Sequence, residues 1–334
     1  MKRFKLFTGA VLVLIVLGLS SCLDEELDSQ TAFGIRHDID LEEYNAIGAN
    51  DYPYNTSDYP DFSPVISFSY SLDGSQSEDY SASGVLVKAD WILTAGHNFY
   101  VADEQSSPAP KEGIVVLFGD DPNNPISVHA VEKLVFHPTW ITDNADFLNA
   151  NDLCLVKLAT PITSVTPAQI NYSNSEELES TIWYCGFGDY SQESGQDPDL
   201  WSVRHAIENV LDRKVSGITT SLQGHTYSGG LLAFDFDSPM GDVNSLGDDE
   251  VNSDEELLGY GDSDATATNF EGTTVQGDSG GPLFVRFGNT WKVAGILSGG
   301  VSEPFWDHQD GDYGDISVFI RVSTHEAWIK SVIN

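Results

Sequence analysis

The chain has 334 residues and a formal charge of −37, from 52 acidic against 15 basic side chains. A surface this negative repels nucleic acid and anionic membranes, so neither is an expected partner, while neutral or basic polypeptides are favoured in encounter. Three cysteines cannot build a disulfide framework, so the fold must rest on a hydrophobic core, which a chain of this length can supply.

Met1-Lys2-Arg3-Phe4-Lys5 is basic, and Ala10 to Leu19 is apolar apart from Gly18. That stretch falls short of the ~20 residues a membrane-spanning helix needs, so residues 1–21 read as an export signal. It ends in Leu19-Ser20-Ser21-Cys22, which resembles a bacterial lipoprotein box. The resemblance implies lipidation at Cys22 and a place at the outer membrane or cell surface, with release to the exterior as an option. Several acyl chains on one residue anchor firmly, and they would be the chain's one contact with a membrane. Asp24-Glu25-Glu26 resembles an acidic tag that directs lipoproteins to the cell surface in some bacteria; an ordinary solvated linker is the alternative. Residues 22–61 show little periodicity and read as an acidic tether and lead-in segment.

From about Phe62 the pattern changes to short β-rich runs. Val65-Ile66-Ser67-Phe68-Ser69-Tyr70, Gly84-Val85-Leu86-Val87, Ile114 to Phe118 and Ala130 to Phe136 come first; Thr181 to Tyr184, Trp291 to Leu297 and Ile316 to Ile320 follow. Gly, Asn and Asp clusters separate them, which argues for an all-β barrel or sandwich. Cys154 and Cys185 lie in apolar runs, where cysteine usually acts as a small buried hydrophobe; a bond between them is the minor alternative.

Three motifs in this region carry chemistry. Trp91-Ile92-Leu93-Thr94-Ala95-Gly96-His97 is an apolar strand ending in a small-residue turn with a histidine. Asn151-Asp152-Leu153-Cys154-Leu155-Val156-Lys157-Leu158 begins with an acid and continues as a strand. Gly277-Asp278-Ser279-Gly280-Gly281-Pro282 holds a serine among residues that permit φ > 0 and close backbone approach. A serine hydroxyl is a weak nucleophile until a base takes its proton, and that base needs a third group to fix its tautomer. His37, His129, His205, His225, His308 and His325 lack zinc-ligand spacing. Phe234 to Asp264 is an acid-rich insert. Hard oxygen ligands over 235–256 suit Ca²⁺, but the spacing does not match an EF-hand loop, so a solvated acidic loop is preferred and no cofactor is expected. Ser323-Thr324-His325-Glu326 has a capping-box pattern ahead of a short C-terminal helix.

The three motifs, in the order His, Asp, Ser, resemble those of the trypsin/chymotrypsin family of serine endopeptidases over residues 62–334. The Gly-x-Ser-x-Gly pattern of α/β-hydrolases is also satisfied, but those enzymes run Ser, acid, His and place the serine before a helix. The resemblance implies two six-stranded antiparallel β-barrels, about 62–175 and 176–334, with a short C-terminal helix and an active site in the cleft between them. It implies Ser279 as nucleophile, His97 as general base and Asp152 as its orienter, with the backbone N–H groups of Gly277 and Ser279 as oxyanion hole. It places Thr273 at the base of the specificity pocket, Ser298 beside Asp152, Gly300 at the pocket mouth and Ser317 on the wall, with Asp315 near if the register slips. A pocket without a basal carboxylate implies cleavage after neutral residues of small to medium size in protein or peptide substrates, by a monomer. Where relatives carry a cysteine after the histidine, this chain has Asn98. Relatives also pair a newly cut N-terminal ammonium with the acid before the nucleophile, here Asp278. No Ile-Val-Gly-Gly exists in this chain; a cut before Ile35 would be the substitute, releasing the protein from its lipid, unless Asp278 finds another partner. A catalytically silent binding module with the same fold is the alternative function.

Overall fold

The computed structural model describes residues 34–52, 59–75, 80–101, 105–142, 150–190, 203–222, 225–247, 258–259, 261–301 and 311–334, without the side chains of 218–228 and 301. The export signal, Cys22 and the acidic tag lie outside the described residues. No helix among the described residues is long and apolar enough to cross a membrane.

Six strands close into the first barrel: β1 (Val65–Tyr70), β2 (Tyr80–Lys88), β3 (Trp91–Thr94), β4 (Ile114–Phe118), β5 (Ser127–Phe136) and β6 (Cys154–Leu158). Their order is β1-β2-β3-β6-β5-β4, and β4 returns to pair with β1. Side chains alternate along a strand, and here both faces are covered. Ile66, Phe68, Ile92, Val116, Cys154 and Val156 fill the barrel. Val65, Val85, Leu93 and Leu155 face the other way and join the core of the second unit. That double burial is why these runs read as apolar throughout.

The second unit holds β7 (Thr181–Gly186), β8 (His205–Val210), β9 (Arg213–Leu222), β10 (His225–Asp235), β11 (Pro282–Phe287), β12 (Thr290–Val301) and β13 (Ile316–Arg321). The double-barrel architecture is the one expected, with an addition. The second sheet has seven strands, in the order β8-β7-β11-β12-β13-β10-β9, because β9 and β10 form a long hairpin. Single hydrogen bonds join β10 to β8 and to the residues just after it. Asp212 N–H donates to the Ala233 carbonyl at 3.1 Å, and the Asn209 amide donates to the Asp235 carbonyl at 2.8 Å.

Three local expectations are corrected. The lead-in contains a helix, α1 (Leu41–Gly48), which buries Tyr44 and Ile47. It packs on the start of β8 so closely that a Cβ on Gly48 would lie 2.4 Å from the Arg204 carbonyl, and Arg204 Nε donates to the Gly48 carbonyl at the helix end. A second short helix, α2 (Pro138–Thr142), follows β5. The C-terminal helix α3 (Glu326–Ile333) is present, but no side chain caps it: Ser323 Oγ donates instead to Asn174 Oδ1 at 3.2 Å. The start of the insert at 234–264 is not a solvated loop. Asp235 ends β10 and is buried, as are Asp237 and Ser238, because Asp235 Oδ2 accepts the Leu246 N–H at 2.7 Å and draws the chain back over it. Burial and neighbouring carboxylates push Asp237 up to about 9, and burial pushes Glu271 up to about 8. Among the described residues no three candidate ligands converge on a metal-sized space. Cys154 and Cys185 are buried free thiols.

The link between the two units is fixed by a buried ion pair. Arg321, at the end of β13, places Nη2 on Glu176 Oε2 and Nε 3.2 Å from the same oxygen. The other carboxylate oxygen accepts the Asn171 amide at 2.9 Å. Arg321→Leu leaves Glu176 buried without its cation and is expected to cost about 3–5 kcal/mol in urea unfolding, whereas the double variant Arg321→Leu/Glu176→Leu should recover most of that loss. A single-variant cost under about 1 kcal/mol would show that the pair is not a clamp.

Candidate active site

The pairing of β3 with β6 sets Thr94 opposite Cys154, so the residues just beyond those strand ends meet. His97 follows the turn after β3 and Asp152 precedes β6. Asp152 is buried and receives three hydrogen bonds. His97 N–H donates to Oδ1 at 2.8 Å, His97 Nδ1 contacts Oδ2 at 2.6 Å, and Ser298 Oγ donates to Oδ2 at 2.6 Å. With Nδ1 bound to a carboxylate, the imidazole carries its hydrogen there and offers Nε2 as acceptor. Burial pulls the His97 pKa down, but the charge and hydrogen bond of Asp152 outweigh it, so the value ends above the ordinary one for histidine.

Ser279 arrives from the second unit, in the tight turn that leads into β11. Gly277 and Gly280 flank it with φ of +93° and +85°, conformations that a side chain would strain. At Gly280 a Cβ would also lie 2.0 Å from Thr94 Oγ1, so the turn sits hard against the end of β3. The Ser279 carbonyl accepts the Ser83 N–H at 2.9 Å and the Asn98 amide at 3.1 Å. Ser83 Oγ donates to the Gly277 carbonyl at 3.1 Å and accepts the Phe187 N–H at 3.0 Å. Among the described residues, neither the N–H groups of Gly277 and Ser279 nor the Ser279 hydroxyl has a hydrogen-bond partner. Ser279 Oγ and His97 Nε2 are not hydrogen-bonded to each other here; such contacts are commonly long before substrate binds and tighten in the complex.

The pocket residues fall together. Thr273 Oγ1 lies 3.0 Å from Ser317 Oγ, and Thr274 Oγ1 lies 2.9 Å from the same oxygen, all three buried. Gly300 is exposed opposite Ser317 in the β12–β13 ladder. Asp315 does not enter this hydroxyl cluster through its bonded oxygen, since Oδ2 accepts the Gly311 N–H at 2.7 Å.

Asp278 lies fully buried beneath the Ser279 turn. Oδ1 accepts the Gly188 N–H at 2.9 Å; Oδ2 accepts the Val275 N–H at 3.0 Å and the Tyr190 hydroxyl at 2.7 Å. His205 Nε2 is 3.5 Å from Oδ1, an ion-pair distance. Sequence reasoning gave His205 no role and did not single out Ser83 or Tyr190. Asn98 was noticed only as the residue standing where relatives have cysteine, and that substitution was the available signal.

A second buried group stands behind Asp152. His325 Nε2 donates to the Ala150 carbonyl at 2.7 Å, which leaves Nδ1 to accept from His137 Nε2 at 3.2 Å. His137 Nδ1 then accepts from Thr139 Oγ1 at 2.8 Å, and Thr139 Oγ1 accepts the Asn151 amide at 2.6 Å. The chain of donors runs in one direction only if both rings are neutral. Burial lowers the pKa of His137 to about 3, with His325 adding to the effect, and burial lowers His325 to about 4.

This double barrel, with a histidine, a buried aspartate and a serine gathered across its cleft, defines a serine-protease-fold protein. A family model described as Trypsin matches residues 63–214 and 218–329, well over half of the chain, and the chain belongs to that family.

Because both folded-state values lie below the ordinary ~6.5, the stabilisation from the neutral pair is complete above about pH 6.5 and is lost as pH falls toward 4 and then 3. Below about pH 6.5 each ring should add on the order of 1.4 kcal/mol per pH unit to the slope of unfolding free energy. A His137→Gln variant, compared with the parent by urea unfolding between pH 7 and 5, should show a shallower slope; identical slopes would refute the assignment.

Proposed function

We propose that the protein is a serine endopeptidase, exported and tethered through Cys22, that cleaves peptide bonds through an acyl-enzyme. The observation that carries this reading is the pairing of His97 with buried Asp152, set beside a serine whose hydroxyl and turn N–H groups have no partners among the described residues. His97 Nε2 takes the Ser279 proton as Oγ attacks the scissile carbonyl, and the imidazolium that forms is stabilised by Asp152, itself held by Ser298. Negative charge developing on the carbonyl oxygen meets the N–H groups of Gly277 and Ser279. The imidazolium returns its proton to the leaving amine, and water repeats the sequence to release the acid. The neutral Thr273, Thr274 and Ser317 hydroxyls favour neutral side chains of small to medium size at the scissile bond.

A fluorophosphonate probe should label Ser279 and no other residue, as mapped by mass spectrometry. Ser279→Ala should lower kcat by about 10⁶-fold and Asp152→Asn by about 10⁴-fold. A purified chain that hydrolyses peptides equally well as Ser279→Ala would end the proposal. In a peptide library, at least hundredfold preference for Arg or Lys at the scissile position would contradict the reading of the pocket. The acid limb of kcat/KM should lie above the ordinary histidine value of about 6.5, in keeping with the raised pKa of His97.

A further inference from the structure

Asp278 sits in a pocket built for its carboxylate. A Cβ on Gly186 would lie 2.2 Å from Asp278 Oδ1, and one on Gly188 would lie 2.5 Å from Oδ2, so both glycines exist here as space for the acid. Strand pairing sets Gly186 opposite His205, which brings the imidazole to the same place. The Tyr190 ring covers the imidazole with centroids 3.7 Å apart. Gly34 closes the packet from the other side: its φ is +82°, and a Cβ there would lie 2.5 Å from Tyr190 Cε1. Ile35 beside it is buried and bridged to Gly272, and Thr273 N–H donates to the Gly34 carbonyl at 2.9 Å.

The contacts around the carboxylate show what holds it in place. His205 Nδ1 faces the Val203 carbonyl at 3.3 Å, which can only accept, so that nitrogen carries a hydrogen. Nε2 faces a carboxylate oxygen, which also accepts when ionised. The imidazole and the carboxylate thus face one another in a buried packet, 3.5 Å apart. The Tyr190 hydroxyl lies 2.7 Å from Asp278 Oδ2 and 2.8 Å from the Thr273 carbonyl, so its one hydrogen is shared between the acid and the base of the pocket.

We propose that His205 and Tyr190 are positioning residues that hold Asp278, and with it the Gly277–Ser279 turn, in working form in the uncut chain, so that no cleavage before Ile35 is needed for activity. The proposal rests on the endopeptidase reading above. The Gly34–Ile35 peptide is buried where a protease would have to reach it. A new ammonium at Ile35 would also find both Asp278 oxygens already engaged by four groups. The role that relatives give to a chain terminus falls here to two side chains fixed on the second unit.

The test uses full chain whose N-terminus, by intact mass, lies upstream of Gly34, beside a form cleaved before Ile35. The uncut form should take fluorophosphonate on Ser279 to the same stoichiometry as the cut form. His205→Ala should lose about a hundredfold in kcat, the scale of losing one oxyanion donor, with KM little changed, and added imidazole should restore part of it. Tyr190→Phe keeps the ring and its packing; it should lose about tenfold in kcat while its urea midpoint stays close to the parent's, which guards against His205→Ala failing to fold. Labelling confined to the cut form would overturn the proposal while leaving the endopeptidase reading intact, and so would full kcat in the folded variants. Labelling of neither form would overturn the endopeptidase reading and this proposal with it.

Discussion

The seam between the two units is the constraint on which the site depends. His97 and Asp152 belong to the first barrel and Ser279 to the second unit, so their spacing is set by whatever locks one against the other. Four hydrogen bonds do this at the serine itself: Ser83 N–H and the Asn98 amide to the Ser279 carbonyl, and the Ser83 hydroxyl between the Gly277 carbonyl and the Phe187 N–H. Each is worth only about 1 kcal/mol net, so they give direction more than strength. The strength comes from the outward faces of β1, β2, β3 and β6, whose Val65, Val85, Leu93 and Leu155 merge into the second core. Packing holds the halves together, and the polar contacts choose the register.

The charge imbalance sharpens this arrangement. With 52 acids and 15 bases, many carboxylates have no cation available. The buried ones divide into two kinds. Asp152, Glu176 and Asp278 are surrounded by hydrogen-bond donors, and the chain is organised around them. Asp235, Asp237 and Glu271 gather close to one another, and burial raises their pKa. Several of the few arginines are committed to backbone carbonyls inside the fold: Arg204 holds the end of α1, and Arg213 reaches the carbonyls of Gly259 and Gly261.

How much of this could be read from the chain follows from how local each feature is. The His97, Asp152 and Ser279 motifs were legible because each is a strand end joined to a short turn, and small residues are required there for contacts that sequence position alone implies. The first barrel was legible because both strand faces are apolar. The helix α1 was not, since Leu41, Tyr44 and Ile47 are its few apolar positions among acids and polar residues. Ser323 was misread because its hydroxyl answers to Asn174, far away in sequence, and not to its own helix. The start of the acidic insert was misread for the same reason: the Leu246 N–H, which buries Asp235, comes from the returning chain. His205 has no motif at all. Its meaning arises only when the β7–β8 register sets it against Gly186 and the missing side chain there leaves room for Asp278.

Two ways of holding a buried acid beneath the serine turn differ in what must be ordered. A free chain end brought to Asp278 would have to fix several residues, at about 1–2 kcal/mol of backbone entropy each, before its charge counted. His205 is already fixed by the β7–β8 ladder, and Tyr190 by its contacts with the ring and with Gly34. The cost of ordering is then met by the folding of the sheet as a whole, and the glycine-rich turn inherits its shape from strands that form regardless of substrate. A turn with φ of +93° and +85° at its glycines gains little from its own sequence and needs such an external anchor. In this chain the anchor lies in the strands of the second unit itself.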